Sequence, residues 1–271
     1  MSAHLNEQTS KKLNAFFRDL KGAPHALLLL DYDGTLAGFR VDRFKARPWA
    51  GVRALLDAIQ RQKKTRIAVV TGRPAEEIPR MLPLVPRVEV WGLHGAERLY
   101  TDGRRELEEQ APAVRLALEE LRLKLKRGAL GGLFEDKPNA AVMHWRGLSA
   151  SQARAVKERT EKLFEPLARM DGLRLLEFEA GLELRAGRDK GGAVEAILRE
   201  SDADAAVAYL GDDLTDEAAF RAVNAVRGPH LSVLMRRVAR ETDADVWLRP
   251  PEGMRMFLRR WAEARGAAAT R

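Results

Sequence analysis

The chain of 271 residues contains no cysteine, so it can build neither a disulfide framework nor a thiolate-ligated metal site. That absence fits a reducing compartment. Aromatic residues make up 6% of the chain, with only three tyrosines, and no aromatic-rich strand offers the stacking platform on which RNA-binding sheets hold bases. Long apolar runs are missing as well: a stretch such as Ala26–Leu30 is far short of the ~20 residues a membrane helix needs. Met1 to Leu20 is polar and mixed in charge, without the apolar stretch of a secretion signal. Blocks of like charge are absent too. The net charge is +8, but the excess is scattered among Arg–Glu pairs, which argues against nucleic acid and suits a field that favours small anionic substrates. No Walker A loop, dinucleotide glycine loop, HExxH helix or serine-nucleophile elbow occurs. These absences lead to the expectation of a cytoplasmic monomer that spans no membrane and binds no nucleic acid.

What is present is 45% hydrophobic residues, enough for one large or two modest cores. Short apolar runs alternate with amphipathic stretches, the pattern of a parallel sheet wrapped by helices. Ala26–Leu30, Ile67–Val70, Val88–Trp91, Ala205–Leu210, Leu231–Met235 and Val246–Leu248 read as strands. Trp49, Val52, Leu55, Leu56 and Ile59 recur at helical spacing. From about Glu106 to Ala186 the texture changes. Ala113–Arg127 and Ser149–Met170 read as helices, the second opened by a Ser149/Gln152 capping box. The strands here alternate instead of running continuously: Ala141, Met143 and Trp145 share one face, Val142, His144 and Arg146 the other. Leu173–Phe178 and Leu182–Arg185 read as a hairpin turning at Glu179-Ala180-Gly181. Such alternation predicts a sheet with one covered face and one face open to solvent or a ligand. The expected division is a core over 1–105 and 187–271 with an inserted domain over 106–186.

The chemistry-bearing residues follow strand ends. Asp31-Tyr32-Asp33-Gly34-Thr35-Leu36 comes directly after a buried strand, at the edge where open α/β sheets bind ligands. If the strand runs on through Asp33, both carboxylates project to one side, where they repel unless a cation or a proton intervenes. The alternatives are an ordinary Asp-Gly turn and a calcium loop, although Leu36 stands where that loop needs glycine. Gly211-Asp212-Asp213-Leu214-Thr215-Asp216-Glu217 offers oxygen ligands suited to a hard divalent cation. An acidic helix start would explain Asp216 and Glu217 but not the Gly-Asp-Asp run. Thr71-Gly72-Arg73-Pro74 supplies a hydroxyl and backbone amides for a phosphate at a helix start. Gly187-Arg188-Asp189-Lys190-Gly191-Gly192 sets a lysine in a glycine-flanked turn before a helix.

In this order, the four pieces resemble the haloacid dehalogenase-type phosphatases. More narrowly, these pieces with Gly92–Glu97 (GLHGAE), the stretch from Glu135 to Arg146 and Leu182–Arg185 resemble the trehalose-6-phosphate phosphatases, from about Leu27 to Phe220. Trp145 stands where tyrosine is common. The resemblance implies an α/β fold, a Rossmann-like parallel-sheet core of haloacid dehalogenase type with an inserted smaller α+β cap domain. It implies Mg2+ held by Asp31, the backbone carbonyl of Asp33 and Asp212, with Asp213 or Asp216 assisting. Asp31 would be the nucleophile and Asp33 the general acid and base, while Thr71 and Lys190 hold the phosphoryl oxygens. Arg73, His94, Glu135, Lys137, His144 and Glu183 would contact the substrate. Phosphatases of sucrose phosphate or mannosyl-3-phosphoglycerate, and a non-catalytic sugar-phosphate sensor, are the competing readings.

Overall fold

The run Ala26–Leu30 forms β1, in the middle of the larger sheet, with every side chain buried. It belongs to a computed structural model that describes residues 7–40, 42–128, 130–178 and 180–266. Successive strand side chains point to opposite faces, and both faces of β1 are covered. Leu28 and Leu30 enter one apolar cluster, Leu27 and Leu29 another. That is the physical reason the run carries no polar alternation.

In chain order the elements are α1 (Glu7–Gly22), β1, α2 (Val52–Arg61), β2 (Arg66–Val70), α3 (Ile78–Met81), β3 (Glu89–Gly92), β4 (Glu97–Leu99) and β5 (Arg105–Leu107). Then come α4 (Pro112–Arg127), β6 (Phe134–Lys137), β7 (Ala140–His144), α5 (Ala150–Ala168), β8 (Leu173–Phe178) and β9 (Gly181–Ala186). The chain closes with α6 (Lys190–Arg199), β10 (Ala206–Gly211), α7 (Glu217–Asn224), β11 (His230–Met235), β12 (Val246–Leu248) and α8 (Glu252–Ala264). Met1–Glu106 with Arg188–Arg271 makes one compact unit, and Leu107–Gly187 the other.

The larger sheet runs β12-β11-β10-β1-β2-β3-β4-β5. From β12 to β3 every neighbouring pair is parallel, and β4 turns antiparallel to β3. Leu13, Phe16 and Leu20 of α1, Leu56 and Ile59 of α2, and Phe257 and Trp261 of α8 pack on one face. Val194 and Ile197 of α6 with Phe220 and Val223 of α7 pack on the other. Helices on both faces of a parallel sheet make this a Rossmann-like α/β fold. A truncation such as Leu28→Ala in so closed a layer costs about 2–5 kcal/mol.

The inserted unit has an antiparallel sheet ordered β6-β7-β9-β8. Ala141 and Met143 of β7 and Leu182 and Leu184 of β9 meet Leu118, Leu121 and Leu125 of α4 and Phe164 of α5. Ser149 caps α5, with the reciprocal Gln152 bond of the capping box. β8 and β9 pair as a hairpin, Leu173 opposite Ala186; of its expected turn, Glu179 lies outside the described residues. The face expected to be open is not open at β9, where Glu183 and Arg185 keep 6% and 3% of their exposure. On that face Lys137 of β6 reaches over to Glu183, its Nζ 3.4 Å from Oε2.

Two further differences concern the helices. α1 did not stand out in the sequence, and Gly191 and Gly192 lie inside α6 instead of in a turn before it. The Asp189 side chain accepts from Gly192 N at 2.9 Å and so starts the helix at Lys190. Among the described residues no helix is long and apolar enough to cross a membrane.

Candidate active site

β1 and β10 are parallel neighbours with Leu30 opposite Leu210, so Asp31 and Asp212 emerge side by side at the carboxyl edge of the sheet. Their closeness needs glycine. A Cβ on Gly34, whose φ is +83°, would sit 2.0 Å from Asp212 Oδ2, a distance no side chain tolerates. Gly211 does the same for Asp216, whose Cγ lies 2.3 Å from where a Cβ would be. The turn after β10 folds Asp216 back beneath the strand end. Its Oδ2 accepts from the backbone N–H groups of Asp212 (2.9 Å) and Asp213 (3.0 Å). Oxygens of Asp31, Asp212 and Asp216 all lie within 4.8 Å of one another, and all three residues are buried.

One cation stands among them. Lys190 Nζ donates to Asp31 Oδ1 at 2.7 Å and to Asp216 Oδ1 at 2.8 Å, and the Tyr209 hydroxyl adds a bond to Asp216 Oδ1 at 2.6 Å. One lysine cannot balance three buried carboxylates. Burial pushes the Asp31 carboxyl up to about 8 despite Lys190. Burial first, and then the charges of Asp31 and Asp216, push Asp212 up to about 10. Lys190 is held well above its ordinary value, because Asp216 and Asp31 outweigh its own desolvation. Asp31 Oδ2 is buried without a hydrogen-bond partner. An orphaned carboxylate oxygen beside two further buried carboxylates is a donor set that a hard divalent cation fits. Asp213 stands apart, its Oδ1 taken by the amide and hydroxyl of Thr215 at 2.8 and 2.6 Å. Those bonds and the field of Lys190 overcome burial and hold its carboxyl below the usual value.

Asp33 departs from the expected geometry. β1 ends at Leu30, and the chain turns at Gly34 into a bridge between Asp33 and Ala37. The Asp33 carboxylate therefore does not join the acidic cluster. It accepts from Arg73 Nε at 2.5 Å and Nη2 at 2.7 Å. Arg73 is 7% exposed, lies over the Tyr32 ring and donates on its other side to Glu77 at 3.2 Å. Arg73, expected to contact the substrate, is paired with Asp33 and Glu77 in this structure. Thr71 is buried directly after β2, its Oγ1 accepting from Arg73 N at 3.2 Å. The helix expected behind it is only a single turn over Ala75–Glu77 running into the short α3. His94 N donates to Thr71 O at 2.8 Å.

In the inserted unit the expected residues form two pairs. Glu135 and His144 meet at 2.9 Å, and Lys137 approaches Glu183 at 3.4 Å. Glu183 Oε1 is buried without a partner. Tyr209 and Glu77 were not singled out in the sequence, nor were Arg236 and Arg240, which donate to carbonyls of the Asp212–Asp213 turn. The only signal for the arginines was their position just after a strand that neighbours β10.

The model of the trehalose-phosphatase family matches residues 29–250. The chain belongs to that family. A trehalose-phosphate phosphatase of Mycobacterium marinum is 30% identical over 79% of this chain and 54% of its own length. The corresponding Mycobacterium avium protein is 28% identical over 78% and 55%. The chain thus spans about half the length of these mycobacterial relatives. A Thermoplasma acidophilum trehalose-6-phosphate phosphatase-related protein is 30% identical over 72% of this chain and 82% of its own. Among solved structures, the C-terminal domain of a Candida albicans trehalose-6-phosphate phosphatase superposes with a TM-score of 0.76 at 19% identity, covering 99% of this chain and 100% of that one. A haloacid dehalogenase-like hydrolase from B. subtilis shares the fold of this trehalose-phosphatase family member, with a TM-score of 0.59 at 18% identity over 86% of this chain and 98% of that one.

Proposed function

We propose that this member of the trehalose-phosphatase family is a phosphoric monoester hydrolase that cleaves trehalose 6-phosphate to trehalose and phosphate. The observation that carries the reading is the buried Asp31–Lys190–Asp216–Asp212 cluster at the carboxyl edge of the sheet. Asp31 attacks phosphorus through a carboxylate oxygen, the bond from phosphorus to the sugar oxygen breaks, and Asp33 gives that oxygen its proton. Asp33 then takes a proton from water as the water oxygen attacks phosphorus. The bond to Asp31 breaks and phosphate leaves. Lys190 and Thr71 neutralise and orient the phosphoryl oxygens, since phosphoryl transfer depends mainly on position and charge. Asp31, Asp212 and the Asp33 carbonyl, with Asp216 or Asp213 assisting, would hold Mg2+, which when bound would supply Lewis-acid stabilisation of the charge on the transferring group.

Family resemblance supports Glu135, Lys137, His144 and Glu183 as contacts to sugar hydroxyls, with His94 near the phosphate-side residues. A cytoplasmic monomer, active in trehalose synthesis and with no nucleic-acid partner, is the working form of this reading. The family match favours trehalose 6-phosphate over sucrose phosphate or mannosyl-3-phosphoglycerate. Intact motif residues disfavour a silent sensor. The test is phosphate release from these three substrates with and without Mg2+. Selective, Mg2+-dependent turnover of trehalose 6-phosphate is expected; a preference for another sugar phosphate, or full activity in a chelator, would overturn the reading.

A further inference from the structure

The turn that carries Asp212 and Asp216 is held from both ends of its peptide groups. The N–H groups of Asp212 and Asp213 are taken by Asp216 Oδ2. The carbonyl oxygens of the same two residues are taken by two arginines from one segment after β11. Arg236 Nη1 donates to Asp212 O at 3.2 Å and Arg240 Nη2 donates to Asp213 O at 2.7 Å. The segment is itself anchored to the far side of the turn. Arg240 Nη1 pairs with the Glu217 carboxylate, which also accepts from the Thr242 hydroxyl at 2.9 Å and from Asp243 N at 2.7 Å. Trp247 Nε1 fixes the backbone of Arg236 at 2.7 Å.

We infer that Arg240, assisted by Arg236, is a positioning residue for the divalent-cation site, fixing the peptide planes from which Asp212 and Asp216 reach it. The inference rests on the metal-dependent reading above. Three buried carboxylates near one lysine repel one another, so the turn that brings Asp212 and Asp216 to Asp31 is under electrostatic load. The guanidinium fork of Arg240 meets that load. It spans Asp213 O and the Glu217 carboxylate at once, which fixes both angle and distance. Arg236 complements it on the preceding peptide, donating to Asp212 O while the Asp213 N–H at the other end of that peptide is bound by Asp216. A lysine at position 240 would keep the charge but could not bridge two acceptors in one plane. Groups that orient metal ligands from behind typically change metal affinity by about 10–100-fold when removed.

The test is Mg2+ titration by calorimetry on the whole chain, with melting temperatures measured in chelator and in saturating Mg2+. Arg240→Met is expected to weaken Mg2+ binding about 10–100-fold and Arg240→Lys to recover only part of it. Turnover should return toward the wild-type rate as Mg2+ is raised. Arg236 is exposed, so Arg236→Met should fold normally and show a smaller weakening of the same kind. A purely structural role would lower the melting temperature in chelator and leave the Mg2+ dissociation constant unchanged, and that result overturns the inference. Wild-type protein that takes up no Mg2+ would overturn the metal reading and this one with it. Wild-type uptake with unaltered uptake by both methionine variants would overturn this one alone.

Discussion

Asp33 and Arg73 form a two-pronged ion pair, at 2.5 and 2.7 Å, that turns the second aspartate of its motif away from the first. Asp31, two residues earlier, answers to Lys190 instead. Two carboxylates that read as one unit in the sequence therefore have separate cations. In the proposed mechanism Asp33 protonates the leaving sugar oxygen, a step for which its two bonds to Arg73 have to loosen. Asp33→Asn should cut kcat for trehalose 6-phosphate by about 10²–10⁴-fold and spare the burst phase on an aryl phosphate, whose leaving group needs no acid. Arg73→Met should show the same substrate-dependent pattern, more weakly. Equal losses on both substrates would remove Asp33 from the acid role.

Asp31→Asn should abolish turnover, raising the barrier by at least about 5 kcal/mol. The amide cannot serve as nucleophile, yet it relieves repulsion among the buried carboxylates. Its melting temperature in chelator is therefore expected to equal or exceed that of the wild type. One tenth of wild-type activity in a freshly purified Asp31→Asn sample would sink the nucleophile assignment.

Burial of these carboxylates, with their mutual repulsion added, gives the metal-free protein a pH dependence of definite sign. Asp31 at about 8 and Asp212 at about 10 lie far above their unfolded value of 3.8. The folded state thus binds more protons than the unfolded chain between those limits, and stability falls as pH rises. The loss should run from about pH 4 through about 8 for Asp31 and on toward 10 for Asp212. Mg2+ competes with these protons, so its stabilisation should grow with pH. Urea midpoints at several pH values, in chelator and in Mg2+, test this, with Asp212→Asn as the control that flattens the metal-free slope. A metal-free midpoint that climbs from pH 6 to 9 would refute it.

Glu183→Ala should lower kcat/KM for trehalose 6-phosphate by roughly 10–100-fold, the worth of a charge-assisted hydrogen bond or two. Activity on a small aryl phosphate should change little, because Asp31, Lys190 and Asp212 all belong to the other compact unit. Misfolding would show as equal loss together with a lowered melt. Equal loss with a normal melt would instead tie Glu183 to the chemistry.

The central strands were readable because burial on both faces leaves runs such as Ala26–Leu30 with nothing but apolar residues. The acidic motifs were readable because an acidic helix start does not account for a whole Gly-Asp-Asp run directly off a buried strand, although Asp213 itself proves to cap the next turn. Pairings were harder. Nothing local to Asp33 announces that its partner is Arg73, 40 positions on, since the turn at Gly34 redirects the side chain only in three dimensions. Arg236 and Arg240 look like surface arginines until β11 is laid beside β10. Gly191 and Gly192 suggested a turn because glycine disfavours helices by about 1 kcal/mol, a preference that the Asp189 cap and tertiary packing override.

The neighbouring of β1 and β10 also sets an order in which the cluster's residues are made. Lys190 reaches Asp31 across 159 positions of sequence, and Asp212 comes from a strand made later still. A chain growing from its N-terminus has its first aspartate motif, and the whole of the Leu107–Gly187 unit, before any of the residues that complete the cluster exist. Pairing so distant in sequence has to wait until the whole intervening stretch has been made. Until β10 slots in beside β1, the Leu27–Leu30 edge is a bare apolar strand of the kind that pairs wrongly with other chains. The carboxylate cluster therefore forms only where β10 has paired with β1.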